Sequence, residues 1–212
     1  MVSKIRARSD ADKHARKTQL LKAAATLHDE RGLNWTMLEV AVQAGLAKGT
    51  TYLYFATKEE LLLELLTIEL ADWFAALLAW LDAPSGDSAS SIASSIASSI
   101  ASRPRLVALM SVQASILEHN LSASAALEFK AFLLEQSTRV IPRLEALLPN
   151  VNGLELLQWL NALVIGLAQL SRPAAAMKPI LERPEFQALK VDFESALTRS
   201  LSALFRGLKE QS

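Results

Sequence analysis

TMLEVAVQAGLAKGTTYLYFATKEEL, residues 36–61, is the stretch that decides how this chain folds. Thr36 and Glu39 stand at the spacing of a capping box, in which each side chain satisfies a free backbone N–H at a helix start. Met37, Val40 and Ala41 then make one apolar face over about two turns. Gly45 follows where a helix ends in a left-handed residue. A short helix is expected over Lys48–Phe55, and Thr57 with Glu60 repeats the capping-box spacing ahead of a longer one. A two-turn helix, a tight glycine turn and a second short helix form a helix-turn-helix. Its second helix must expose polar side chains while its other face packs. Lys48, Thr50, Thr51 and Tyr54 are the candidate polar contacts, and Leu46, Leu53 and Phe55 the candidate anchors. Spacing alone fits a DNA-reading unit or an ordinary packed helical hairpin.

Outward from this stretch the chain reads as helix nearly everywhere, and no pair of alternating β-branched runs suggests a hairpin. A first helix is expected over Asp12–Arg31, with Leu20, Ala24 and Leu27 as its stripe. The helix after Thr57 should reach Asp82 and stop at Pro84 and Gly86. Ser85–Ser102 holds nine serines in eighteen residues. Yet Ile92, Ile96 and Ile100 recur every four residues, which favours a helix held by tertiary packing over a flexible linker. Further helices are expected over Pro104–His119, from Ser122 or Ser124 to Leu148 with a kink near Pro142, over Leu154–Ser171 and over Glu185–Leu208. The expected class is all-α, with about nine helices in two domains. These are a three-helix helix-turn-helix domain at residues 1–57 and a larger helical domain at 58–212.

Composition narrows the class. Of 212 residues, 51% are hydrophobic and 21% charged, too apolar for a disordered chain. With 22 Lys+Arg against 22 Asp+Glu, the chain lacks the overall basic charge typical of nucleic-acid binders. The distribution restores it. Residues 1–60 carry ten Lys/Arg and seven Asp/Glu, net +3, and residues 61–212 carry twelve and fifteen, net −3. Lys4, Arg6 and Arg8 form a basic arm that suits phosphates or a minor groove, and equally a solvated tail. With no Cys, disulfides and thiolate metal sites are excluded. His14, His28 and His119 are scattered and make no metal pair. Gly45–Thr51 lacks the spacing of a phosphate-binding loop. No cofactor and no enzymatic activity are expected. The charged N-terminus does not read as a signal peptide, and the uncharged run Leu156–Ser171 falls short of a membrane span. A cytoplasmic protein without membrane contact is the expectation.

Residues 36–61, with Ala23–Leu27 and Gly32 upstream, resemble the DNA-binding domain of the tetracycline-repressor (TetR/AcrR) family of transcriptional regulators. The resemblance covers residues 13–66. It implies that Thr36 meets a phosphate, that Lys48 reaches a base or phosphate, and that Thr50 is a further groove contact. It gives Tyr52 mixed packing and groove-edge duties, and Tyr54 and Lys58 phosphate contacts. Two positions depart from the family pattern. Ala47 replaces the usual serine cap of the recognition helix, and Thr51 replaces a larger apolar residue.

The resemblance also implies a homodimer on a palindromic double-stranded DNA operator, released by a small-molecule effector, most often as a repressor; the apolar candidate pocket residues argue that this effector is apolar or amphipathic. Leu156, Leu160, Leu163, Leu167, Phe193, Leu197, Leu201 and Leu204 offer dimer surface, with protomer core as the alternative for some. Trp73, Phe74, Met110, Phe129, Phe132 and Trp159 are candidate pocket residues, though each such residue is more often plain core. His119 could orient a ligand or simply end a helix. The competing function is a helical protein-interaction or membrane-surface module without specific DNA binding.

Overall fold

The computed structural model describes residues 2–83, 88–148 and 151–210, with side chains for 11–83, 88–148 and 151–208. Pro84 and Gly86, expected as helix stops, lie outside the described residues. No strand occurs among the described residues. The helices are α1 Val2–Arg31, α2 Met37–Gln43, α3 Lys48–Tyr52, α4 Lys58–Leu81, α5 Ala89–Ala101, α6 Pro104–Val112, α7 Ala123–Leu147, α8 Gly153–Ser171, α9 Lys178–Leu181 and α10 Phe193–Glu210. Short 3-10 turns stand at Leu117–Asn120 and Pro184–Leu189. The chain is all-α, with a helix-turn-helix near its N-terminus.

The chain divides into two units. One is Met1–Ile68 with Gln113–Leu127, the other Glu69–Val112 with Glu128–Ser212. In the first, Leu20, Ala24 and Leu27 of α1 are buried with Val40 and Ala41 of α2 and Leu61, Leu62, Leu65 and Leu66 of α4. Each fully buried leucine contributes about 1.5–3 kcal/mol relative to exposure. Helix α1 starts ten residues before the expected Asp12, at Val2. No Gly or Pro interrupts residues 2–11, so nothing there stops the helix.

In the second unit the serine-rich segment is helical. Ser88 caps α5 by accepting from the Ser91 amide at 3.2 Å. Ile92, Ile96 and Ile100 are buried, and α5 packs along α10. Helix α8 packs against α6 and α10. Asn152 caps α8 by accepting from Glu155 N–H at 3.0 Å, and Gly153 follows where a Cβ would lie 2.9 Å from Ile141 Cγ2. By length and composition α8, at 19 residues, is apolar enough to cross a membrane, a test that buried core helices also pass. Its buried stripe of Leu156, Leu160, Val164 and Ala168 packs against protein.

Two further boundaries differ from expectation. Helix α6 stops at Val112, where the Gln113 backbone carbonyl accepts from Glu118 N–H across a wide turn and the Gln113 side-chain Nε2 donates to Glu118 Oε1 at 3.1 Å. His119 therefore sits in a 3-10 turn rather than at a helix end. Helix α7 runs on through Pro142. The last helix starts at Phe193 rather than Glu185. Pro184 opens a 3-10 turn, and Asp192 then caps α10 by accepting from the Ser195 amide at 2.9 Å.

Candidate functional site

Helix α2 begins on a complete capping box. Thr36 Oγ1 accepts from Glu39 N–H at 3.3 Å, while a Glu39 carboxylate oxygen accepts from Thr36 N–H at 2.8 Å and from its hydroxyl at 2.9 Å. Arg31 reaches the other oxygen at 3.0 Å. The Thr36 backbone and hydroxyl bonds, with Arg31 adding to them, hold the Glu39 carboxyl below the usual carboxylate range. Thr36 is exposed, so its hydroxyl stands at the surface beside the free N–H groups of the helix start.

At the far end, Gly45 takes φ 67°. Leu46 N–H bonds the Ala41 carbonyl at 2.9 Å and Gly45 N–H bonds Val42 at 3.0 Å, the paired closure of a Schellman motif. This turn aims the chain into α3. Ala47 is the N-cap there, extended at φ −66° and ψ 145°, and offers no side-chain bond.

Helix α3 separates its side chains by face. Thr51 and Phe55 are buried. Lys48, Gly49 and Tyr52 are exposed, and Thr50 and Tyr54 are half-buried. The Thr51 hydroxyl, fully enclosed, has no hydrogen-bond partner. It is packing, not a groove contact. Leu53, expected to anchor the helix, is 83% exposed. The helical turn ends at Tyr52, so Leu53 falls past the packed face.

Lys58 opens α4. Its ammonium donates to the carbonyls of Leu33 at 2.5 Å and Trp35 at 2.6 Å, and lies 4.2 Å from the centre of the Trp35 ring. Trp35 is buried and its indole N–H bonds the Gly32 carbonyl at 2.9 Å. Burial pulls the Lys58 ammonium below the usual lysine range. Lys58 thus ties the α1–α2 connection, and through it Thr36, to the start of α4. No sequence periodicity links residues 33, 35 and 58.

Lys17 makes a parallel tie, 2.6 Å from Glu64 and 5.7 Å from the Phe55 ring centre. Glu60 caps α4 from within, accepting from Ala56 N–H at 3.0 Å and, on its other oxygen, from Ser122 N–H at 3.1 Å. Thr57 donates to the Asn120 carbonyl at 3.0 Å. The 3-10 turn Leu117–Asn120 is thereby held on the N-terminal end of α4. Arg6 and Arg8 belong to α1 rather than to a separate arm, and their side chains lie outside the described residues.

The second unit holds a small crevice of about 10 Å³, lined only by apolar side chains of Leu77, Ile96, Leu144, Leu156, Leu157, Leu160, Leu201 and Phe205. None of Trp73, Phe74, Met110, His119, Phe129, Phe132 or Trp159 lines it. Trp73 packs on Phe74 at 4.9 Å and bonds Ser99 Oγ at 3.1 Å. Met110 and Phe129 are buried, Phe132 and Trp159 half-buried, and His119 is exposed in the first unit. Of the leucines expected at a dimer surface, Leu156, Leu160, Leu197 and Leu201 are buried in this protomer's own core. A four-residue spacing placed them on the face that α8 and α10 turn inward. Leu163, Leu167, Phe193 and Leu204 are half-buried, and Leu170 is 64% exposed.

The family model for bacterial regulatory proteins of the tetR family matches residues 20–65, and that for the tetracyclin repressor-like C-terminal domain matches residues 67–212. No curated protein is a significant sequence relative. Among solved structures, the fatty acid degradation regulator FadR from Bacillus halodurans is 16% identical, with a TM-score of 0.56 over 90% of this chain and 97% of its own. A transcriptional regulator from Rhodococcus sp. Rha1 is 23% identical, with a TM-score of 0.55 over 90% and 96%. At these identities the likeness establishes the fold.

Proposed function

The chain belongs to the tetracycline-repressor family of bacterial transcriptional regulators, and from that premise we propose that it is a ligand-responsive repressor acting as a homodimer on a palindromic operator. The observation that carries this reading is the division of faces on α3. Thr51 and Phe55 are buried, while Lys48, Gly49 and Tyr52 stand open to solvent. A hairpin serving only as packing has no reason to keep a basic and an aromatic side chain on one free face.

In this reading residues 1–57 form the DNA-binding domain and residues 58–212 the effector and dimerisation domain. Thr36 and the N-terminal N–H groups of α2 take a phosphate. Lys48 and Thr50 meet the groove, Tyr52 its edge, and Tyr54 a phosphate. Lys58 uses two of its three protons on carbonyls, which leaves one for a phosphate. Arg6 and Arg8 add basic charge near the same duplex. Two copies joined by a dyad read two half-sites, which one short helix cannot do tightly.

The dimer surface is drawn from Leu163, Leu167 and Leu170 on the outward side of α8, with Phe193 and Leu204 at its margin. The effector is small and apolar or amphipathic, the chemistry that suits the apolar side chains of the second unit; the crevice itself, at about 10 Å³, is too small to hold it. It acts by changing the spacing of the two recognition helices, a coupling between distinct sites. A cytoplasmic location follows from access to DNA.

The test is a salt-dependent gel shift on a palindromic duplex from the promoter region upstream of its own coding sequence. The repressor reading predicts a discrete complex that weakens steadily with added salt. No complex even at low salt would instead favour a protein-interaction module.

A further inference from the structure

The recognition segment carries a large apolar side chain that its packing does not use. Leu53 is 83% exposed, and Tyr52 beside it is 52% exposed. Thr51 and Phe55, on either side, supply the buried contacts at 0% and 4% exposure. Leu53 is nevertheless held in place. Its N–H bonds the Thr50 carbonyl at 3.2 Å, and its backbone keeps helical angles of φ −76° and ψ −18°.

Charge identifies the occupant of this surface. Residues 1–60 are net +3, and exposed Lys48 lies on the same short element. The net positive charge, with Lys48 opening the short helix that Leu53 closes as its C-cap, favours a polyanion over an apolar protein partner. In a DNA major groove, base edges present donors, acceptors and one apolar group, the C5 methyl of thymine. Leucine has neither donor nor acceptor, so that methyl is the one base-edge feature it can recognise.

We infer that Leu53 is a specificity-determining residue that reads a thymine methyl in each half of the operator. This rests on the DNA-binding reading above and adds the base that is selected. Because Leu53 packs against little of its own chain, replacing it leaves the fold intact.

The experiment begins by selecting a duplex from a random library with the full-length protein at fixed low salt. Each thymine of the selected duplex is then replaced by 2′-deoxyuridine, which removes only the methyl, and binding is titrated with wild type, Leu53→Ala and Leu53→Met. At one symmetric pair of thymines the replacement should weaken wild type about fourfold per half-site, or roughly fifteenfold for the pair, the value of one buried methyl-sized group. Leu53→Ala should lose at least that much on the thymine duplex and nothing further on the deoxyuridine one. Leu53→Met should keep the discrimination. If selection enriches no sequence, the DNA-binding reading fails and this inference with it. If a sequence is enriched but holds no thymine, or every replacement costs Leu53→Ala as much as wild type, the inference alone is overturned.

Discussion

The Lys58 ammonium lies 4.2 Å from the centre of the Trp35 ring and donates to the Trp35 carbonyl at 2.6 Å, so one lysine holds both the side chain and the backbone of a single residue. Cation–π attraction of this kind contributes about 0.5–1 kcal/mol at exposed sites and more when desolvated. Hydrogen bonds from a charged donor contribute about 1.5–3 kcal/mol. Lys58→Met keeps the carbon stem but removes the charge and the donors. It should lower stability by about 1–3 kcal/mol in urea denaturation followed by circular dichroism. An unchanged midpoint together with lost DNA binding would instead make Lys58 a phosphate contact alone.

The recognition helix lacks the cap that α2 possesses. Ala47 already has the extended backbone of an N-cap residue and makes no side-chain bond. Ala47→Ser supplies the missing acceptor, a change typically worth about 0.5–2 kcal/mol. Because α3 spans only five residues, the lower half of that range is expected. The same denaturation experiment measures it. A destabilised variant would show that residue 47 does not accept a serine cap.

The Thr51 hydroxyl is fully buried without a partner. An unsatisfied buried polar group costs about 1–3 kcal/mol. Thr51→Val keeps the shape and removes the group, and it should raise stability by about 1 kcal/mol while leaving operator affinity unchanged. A loss of affinity with no gain in stability would mean that the hydroxyl serves the DNA surface after all.

Glu60 gives the contact with Ser122 a pH dependence. The Ser122 side chain is the largest influence lowering the Glu60 pKa, and the Ser122 and Ala56 amides act in the same direction. The folded pKa is below the unfolded value of about 4.3. The stabilisation is therefore fully present above about pH 4.3 and is lost as pH falls through the lower folded value. The Ser122 amide resonance should shift across that acid window in wild type. In Glu60→Gln it should show no such transition. A Ser122 amide that ignores pH in wild type would contradict the bond.

Much of the first unit was legible because its signals are local. Thr36 and Glu39, three residues apart, and Gly45 at the helix end specify their geometry from a few neighbouring residues. The serine-rich helix was legible through Ile92, Ile96 and Ile100, whose spacing outweighs poor propensity once α10 covers them. Long-range choices were hidden. Lys58 meets residues 23 and 25 positions away, and Glu60 meets Ser122, with no pattern to pair them. The α8 leucines share one spacing whether they face the protomer core or a partner. Leu53 read as an anchor because it is apolar, but the turn ended one residue before it.

The central claim is that the open face of α3 recognises DNA by sequence. Its most direct measurement is a fluorescence anisotropy titration of a selected palindromic duplex against a scrambled duplex of equal length, across a salt series and with Lys48→Ala in parallel. The account predicts at least about a thousandfold preference for the selected duplex, affinity falling log-linearly with salt, and an altered base preference in Lys48→Ala. Equal affinity for both duplexes, or no binding at low salt, would contradict it.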